Sequence, residues 1–319
     1  MTGTDEPIFL HSMWRTGSSY LLSRFAAEER YLAFYEPFNG EIGSHRLRRK
    51  ARQDYATRRE QLRHPDAGDG YFAIYDEQDP ASGRPLWRLA RPSLPVFDVY
   101  NGLSTDGAAM IEACIRLARQ QGRTPVLGFC HSGMQIGQMR TRVGGQHIYL
   151  SRAPREQFLS YDPQGNDFFM TATALQLLCS AHLRERAVDL VPELRFVPRT
   201  ALSPLVRMAP HWLTMRIGRP LWRRLDLPAL YRLFYLSWCA SHDEARAHCH
   251  ESVSLADLDA HADMRSRFEA RYAITFDGLG VRTGNSDLLD IDFPAIEAEL
   301  AASSAVKRNQ HDGHYQLSA

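Results

Sequence analysis

Lysine is scarce in this chain, and only Lys50 and Lys307 occur among its 38 basic residues. A nucleotide-binding loop of the Walker type requires Gly-Lys followed by serine or threonine, because the lysine reaches the phosphates and the hydroxyl binds magnesium. The sequence contains no such run. The scarcity weakens an assignment to P-loop-like nucleotide-dependent kinases, which stay open as an alternative.

A charge excess, paired cysteines and a long apolar run are also missing. The net charge of +1 gives no overall attraction to nucleic acid. The most apolar late stretch, residues 230–240, is short and contains Arg232, so we expect a soluble, cytoplasmic protein without a transmembrane segment. The cysteines form no CxxC pair, which predicts reduced structural thiols at Cys114, Cys130, Cys179, Cys239 and Cys249.

The composition is sufficient for one large domain, since 44% of the 319 residues are hydrophobic. Residues 66–94 are rich in glycine and proline, which predicts a loop-rich excursion of low order. Residues 199–227 are interpreted as an irregular connector or a mobile lid. The tail at 303–319 is expected to be flexible. The domain prediction is therefore a single unit over 1–319.

The spacing of apolar residues predicts the fold class. Strands at 124–130 and 146–151 flank a helix at 133–143, and a strand, helix and strand in succession imply a parallel sheet. Helical spacing dominates from residue 154 onward, including one helix over 168–186 and another over 257–272. We expect an α/β protein whose central parallel sheet is flanked by helices and whose C-terminal half is mostly helical.

Residues 7–39 are predicted to form a strand, a small-residue loop and a helix, followed by a second strand at 31–35. Gly17 permits a tight turn, and Ser18 or Ser19 can cap the helix. The N–H groups of the first helical turn then attract an anion. An ordinary turn with an exposed arginine, Arg15, is the alternative interpretation.

A second anion-binding motif follows the strand at 146–151. Arg152 stands just before a helix that begins at Pro154, and Ser160 lies two turns further along. A guanidinium provides paired donors for a phosphate, and a hydroxyl adds a third.

Together the two motifs resemble those of the PAPS-dependent sulfotransferases, in particular the carbohydrate-type and bacterial members. The matching residues are Trp14-Arg15-Thr16-Gly17-Ser18-Ser19-Tyr20-Leu21, Tyr35-Glu36-Pro37-Phe38-Asn39, and Arg152-Ala153-Pro154-Arg155 with Ser160. Ala153 departs from the family pattern, where many members have aspartate.

The resemblance implies a P-loop NTPase-like fold with 3′-phosphoadenosine 5′-phosphosulfate (PAPS) as donor and 3′-phosphoadenosine 5′-phosphate (PAP) as product. It assigns the 3′-phosphate to Arg152 and Ser160. It assigns the 5′-phosphosulfate to Arg15, Thr16, Gly17, Ser18, Ser19 and Tyr20. No metal is expected.

Transfer to a hydroxyl also needs a base, and the sequence offers two. Glu36 is the first candidate, because it follows a strand that should neighbour the Arg15 loop and matches a glutamate of the carbohydrate-type relatives. Pairing with an arginine is its alternative role. His131 is the second candidate, at an interval before Arg152 similar to that in cytosolic sulfotransferases. It could equally be buried or contact the acceptor. His11 is assigned to the core.

The expected function is transfer of a sulfuryl group from PAPS to a hydroxyl of a small-molecule or carbohydrate acceptor, with Arg15 stabilising the developing charge. A non-catalytic nucleotide-binding module is a further alternative. No nucleic-acid partner is expected. The sequence does not decide the acceptor or the oligomeric state, and a homo-oligomer stays open.

Overall fold

The structure is a computed structural model that describes a large part of the chain. The described residues are 6–40, 42–43, 72–91, 102–161, 167–180, 183–197, 216, 220, 223–277, 279 and 291–302. The predicted flexible tail at 303–319 lies outside them, as do most of the predicted connector or lid and both ends of the predicted excursion. The central part of that excursion contains two short 3-10 helices, Ala73–Asp76 and Leu86–Arg88.

Five parallel strands form one sheet in the order β2-β3-β1-β4-β5. The strands are β1 (Ile8–Ser12), β2 (Tyr31–Tyr35), β3 (Thr124–Phe129), β4 (Gln146–Ser151) and β5 (Glu251–Ser254). The apolar runs in β1 and β3 suit strands that are covered on both faces. The predicted parallel α/β sheet is thus confirmed.

Several α-helices flank the sheet or follow it within the described ranges. They are α1 (Ser18–Ala26), α2 (Thr105–Gln120), α3 (Ile136–Val143), α4 (Pro154–Ser160), α5 (Asp167–Cys179), α6 (Arg184–Leu190), α7 (Leu227–His248), α8 (Leu255–Ala260), α9 (Ala262–Tyr272) and α10 (293–302). The C-terminal half is mostly helical, as predicted.

Two long predicted helices are each divided in the structure. The helix predicted at 168–186 ends at Cys179, and the guanidinium of Arg184, at the start of the next helix, donates to the carbonyl of Leu178 at 3.2 Å. The helix predicted at 257–272 is interrupted by His261, whose backbone is extended. Side-chain contacts and one extended residue therefore override helical periodicity.

Alternate residues of the central strand supply the two faces of the core. Ile8 and Leu10 pack with α1, α8 and α9 on one face, whereas Phe9 packs with α2 on the other. A third apolar cluster joins α4 to α7 and α10 beyond the sheet. None of the helices within the described ranges has the length and apolar character needed to cross a membrane.

The strand order places a crevice at the carboxyl ends of β1 and β4, which are adjacent. From β1 the chain continues to β2 on one side of the sheet, and from β4 it continues to β5 on the other. Ligands of open α/β sheets bind where neighbouring connections diverge in this way. The loops that follow β1 and β4 are therefore the place to look for a site.

Candidate active site

The loop after β1 turns sharply between Met13 and Gly17. Arg15 and Gly17 both adopt left-handed backbone conformations, with φ of 65° and 91°. A Cβ at Gly17 would lie 2.3 Å from the side chain of Leu255. Thr16 closes the turn, because its hydroxyl donates to the carbonyl of Met13 at 3.1 Å. The left-handed conformation therefore favours glycine at position 17, and the Leu255 side chain would have to move to admit a larger residue.

Ser18 and Ser19 do not cap α1, and that prediction is wrong. Gly17 is the N-cap residue, and no side chain caps the first turn. The two serines lie inside the helix, where the Ser18 hydroxyl is 3.2 Å from Sγ of Cys130 and the Ser19 hydroxyl donates to the Tyr35 hydroxyl at 3.3 Å. Because this turn also lacks acidic residues, its N–H groups suit an anionic ligand.

Tyr20, the last residue assigned to the phosphosulfate loop, points to a different segment. Its hydroxyl donates to the carbonyl of Asp277 at 2.8 Å, just beyond α9. In this conformation Tyr20 connects α1 to the chain that follows α9.

The two predicted anion-binding motifs meet at the crevice. Nε of Arg15 donates to the carbonyl of Ser160 at 3.0 Å, and Nη1 of Arg152 donates to the carbonyl of Arg15 at 3.1 Å. Gln157 of α4 donates to the carbonyl of Trp14 at 2.8 Å. Residues 137 and 145 positions apart in sequence are thus in direct contact, through the guanidinium groups of Arg152 and Arg15 and the backbone carbonyls of Arg15 and Ser160.

Two residues of the second motif make structural contacts instead of facing the crevice. The Ser160 hydroxyl donates to the carbonyl of Gln157 in its own helix at 2.7 Å. The Arg155 guanidinium makes two bonds of 2.9 Å to the carboxylate of Glu297 in α10. A phosphate ligand would require the Ser160 hydroxyl to rotate, and Arg155 serves to attach α10.

Glu36 follows β2 in a left-handed backbone conformation, with φ of 44°. β3 lies between β2 and β1 in the sheet, yet β2 contacts the segment that follows the Arg15 loop, because the Ser19 hydroxyl donates to the Tyr35 hydroxyl at 3.3 Å. The amide of Asn39 donates to the Glu36 carboxylate at 2.8 Å. Cys130, which follows β3, lies with its Sγ 3.2 Å from the Ser18 hydroxyl.

The environment of Glu36 suits a proton acceptor. Its side chain is only 7% exposed, and no ion pair within the described ranges involves it. Burial raises the pKa of Glu36, while hydrogen bonds from Cys130 and Asn39 lower it in part. A carboxyl group with a raised pKa is a stronger base once ionised. The alternative role as an arginine partner therefore receives no support from these contacts.

His131 lies beside the loop on the α5 side. Its ring centroid is 5.1 Å from that of Trp14, and its carbonyl accepts a bond of 3.3 Å from Gln176. Trp14 in turn contacts Phe168 and Phe169. The surroundings of His131 are therefore aromatic.

Cys130 is the site residue that sequence reasoning missed. It was assigned only a structural role, and all five cysteines are indeed free thiols. Its position at the end of β3, directly before His131, was the available signal. Burial raises the pKa of the Cys130 thiol, and the negative charge of the neighbouring Glu36 raises it further.

His11 lies in the core, as predicted, within a hydrogen-bonded chain. Its Nδ1 is 2.7 Å from the Ser132 hydroxyl, and its Nε2 is 2.8 Å from Nδ1 of His147. Nε2 of His147 lies 3.0 Å from the carbonyl of Gly144. These hydrogen bonds connect Ser132, in the loop that carries His131, to Gly144, just before β4.

Within the part of the chain that the structure describes, no three histidine, cysteine or acidic side chains are grouped so as to hold a metal ion. Comparisons with protein-family models, with curated proteins and with solved structures found no match.

Proposed function

We propose that this chain is a sulfotransferase that moves a sulfuryl group from PAPS to a hydroxyl of a small-molecule or carbohydrate acceptor. The observation that carries the proposal is the contact between Arg152, Arg15 and Ser160 at the crevice. These residues come from two motifs that resemble the two phosphate-binding motifs of one family. A P-loop NTPase-like sulfotransferase fold is part of the same proposal, supported by the parallel sheet with a turn and helix after its central strand.

In the proposed reaction the acceptor oxygen attacks sulfur, and the bond from sulfur to the bridging phosphate oxygen breaks. PAP leaves, and the proton of the acceptor hydroxyl passes to the carboxylate of Glu36. Arg15 and the first-turn N–H groups of α1 stabilise the negative charge that grows on the 5′-phosphate. Arg152 and Ser160 bind the 3′-phosphate.

Glu36 is preferred over His131 as the base because of its burial and raised pKa. His131 lies instead among Trp14 and the phenylalanines of α5. An aromatic ring or the apolar face of a sugar would pack there, so His131 is proposed to contact the acceptor.

The alternatives are a nucleotide-dependent kinase and a non-catalytic binding module. The turn before α1 holds Arg15 where a kinase loop needs lysine. Binding alone does not require a buried carboxyl group at the end of β2, and ionisation of such a group costs free energy. Both observations favour the sulfotransferase.

Calorimetry with PAP tests the donor site. We expect Arg15→Ala and Arg152→Ala each to weaken PAP binding by at least about tenfold, the effect of one charged hydrogen bond. Arg155→Ala is the matched control, because its guanidinium is bonded to Glu297, and PAP affinity should stay at the wild-type value. Tighter binding of ATP with magnesium than of PAP would refute the proposal in favour of a kinase.

A transfer screen with radiolabelled PAPS tests catalysis. Acceptors from cell extract should be labelled by the wild type, whereas Glu36→Gln should bind PAP normally and transfer little label. Normal turnover in Glu36→Gln would move the base assignment to His131. PAP binding without transfer to any acceptor would favour the binding module.

A further inference from the structure

We propose that Gln157 is a positioning residue for the anion site, and that it acts by holding Arg15 in its left-handed backbone conformation. Gln157 lies in α4, and its side chain contacts the loop after β1. Its effect on PAP binding rests on the proposed function. Its effect on the backbone of Arg15 does not depend on that function.

The two peptide groups on either side of Arg15 are each held by a side chain from outside the loop. The Gln157 amide donates to the carbonyl of Trp14 at 2.8 Å, which fixes the peptide group before Arg15. Nη1 of Arg152 donates to the carbonyl of Arg15 at 3.1 Å, which fixes the peptide group after it. Because the orientations of these two planar groups define φ and ψ of Arg15, the two bonds together set its backbone conformation.

The backbone of Arg15 needs such support, because its φ of 65° is unfavourable for a residue with a Cβ. A conformation of this kind persists only where the surrounding contacts determine it. One net hydrogen bond changes an equilibrium by about fivefold, which is comparable to the preference of a non-glycine residue for negative φ. Loss of the bond from Gln157 should therefore let Arg15 leave the left-handed region.

Gln157 is suited to this role because it is buried and firmly held. Its side chain is only 1% exposed, so bulk water does not compete for the bond to the loop. Its backbone N–H donates at 3.0 Å to the carbonyl of Ala153, the N-cap residue of α4. The same helix binds the Arg15 guanidinium, whose Nε donates to the carbonyl of Ser160 at 3.0 Å. One short helix therefore holds both the backbone and the side chain of Arg15.

The conformation of Arg15 also determines the direction of the neighbouring N–H groups. In a trans peptide the N–H and the C=O point in opposite directions. The carbonyls of Trp14 and Arg15 point at Gln157 and Arg152, so the N–H groups of Arg15 and Thr16 point away from these two side chains. Concave runs of such N–H groups bind anions. Gln157 thus orients the loop for an anion without contacting the anion itself.

Crystal structures of the free protein test the effect on Arg15. Gln157→Met preserves the length of the side chain and removes its donor. We expect φ of Arg15 to become negative in this variant, with the Trp14 carbonyl turned away from α4. Gln176→Met is the matched control, because the Gln176 amide is also buried and donates to a backbone carbonyl, that of His131, at 3.3 Å. The control should keep the positive φ. A positive φ of Arg15 in Gln157→Met would overturn the proposal.

If Gln157→Met does not fold, the structure of Gln157→Glu at alkaline pH decides in its place. The ionised carboxylate has nearly the shape of the amide and cannot donate a hydrogen bond. A negative φ of Arg15 in this variant would support the proposal, and a positive φ would overturn it.

Calorimetry with PAP tests the effect on the anion site. We expect Gln157→Met to weaken PAP binding by about fivefold, the effect of one hydrogen bond, and Gln176→Met to keep the wild-type affinity. The loss should be smaller in an Arg15→Ala background, because Gln157 acts in part through the Arg15 side chain. Equal losses in the two backgrounds, or no loss at all, would overturn the role of Gln157 in binding. Failure of the wild type to bind PAP would refute the proposed function, whereas φ of Arg15 in the free protein still decides the role of Gln157 in the loop.

Discussion

The buried pair His11 and His147 makes a quantitative prediction about stability in acid. Because the Gly144 carbonyl can only accept, Nε2 of His147 must carry a proton, and its Nδ1 then accepts from Nε2 of His11. Nδ1 of His11 accepts in turn from the Ser132 hydroxyl. Two neutral histidines, each with its proton on Nε2, satisfy all three contacts, and burial favours the neutral form of both.

Burial lowers the pKa of His147 from 6.5 to about 4, opposed by its bond to Gly144 and assisted by His250 and Arg140. Burial lowers the pKa of His11 as well, well below its usual value. Each histidine binds a proton more readily in the unfolded chain than in the folded protein, so stability falls as the pH falls from about 6.5 toward 4. The lowering of the His147 pKa alone corresponds to a loss of about 3 kcal/mol in the free energy of unfolding once the pH is below both pKa values.

Urea unfolding at a series of pH values from 7.5 to 4.5 measures the effect. His147→Gln removes the titrating group, so we expect the variant to start less stable at pH 7.5 and to lose about 2–3 kcal/mol less than the wild type by pH 4.5. His261→Gln is the control, because His261 is exposed and its replacement should leave the wild-type pH dependence unchanged. Parallel curves for the wild type and His147→Gln would refute the assignment of a neutral buried pair.

Three further predictions concern individual residues of the site and its support. At pH values above 7, Glu36→Gln should have a higher melting temperature than the wild type, since a carboxyl group with a raised pKa costs stability once it ionises; an unchanged melting temperature would contradict this. The same variant should lower turnover by about 10²–10⁴-fold. Gly122→Ala and Gly17→Ala, both at a positive φ, should each cost about 1–2 kcal/mol in urea unfolding, because the Leu255 methyl that a Cβ at position 17 would meet ends a flexible side chain and can move; a much larger cost at position 17 than at position 122 would contradict this. Arg155→Ala should expose α10 to limited proteolysis by removing the charged partner of Glu297; unchanged cleavage would show that the remaining bond from Tyr231 to Glu297, together with apolar packing, holds this helix.

The elements that could be predicted from sequence are those set by local patterns. The strand at 146–151 was placed at its observed bounds, and that at 31–35 likewise, because buried parallel strands are short apolar runs with turn residues at each end. The resemblance assigned the Arg15 loop and Arg152 to the two phosphate ends of one donor, whereas the direct bond between them was not predicted.

What could not be predicted depends on partners distant in sequence. Cys130 meets Ser18 across 112 residues, and Arg155 meets Glu297 across 142. No local pattern encodes which of two nearby serines points at a thiol, or which arginine of a motif is bonded to a distant carboxylate. Serine was expected to cap α1 on propensity alone, yet the tight turn at Gly17 moved both serines into the helix.

Backbone strain provides an independent reason to regard Arg15 and Glu36 as functional. Only three non-glycine residues of the described chain have positive φ: Arg15, Glu36 and Ala273. Ala273 is the C-cap residue of α9, where a left-handed conformation commonly ends a helix. Arg15 and Glu36 end no helix, and each conformation costs about 1–3 kcal/mol. Glu36 bears the added cost of burying an ionisable group. Both residues lie at the carboxyl edge of the sheet, where α/β proteins bind ligands, and such costs persist at sites where a particular geometry is required for function.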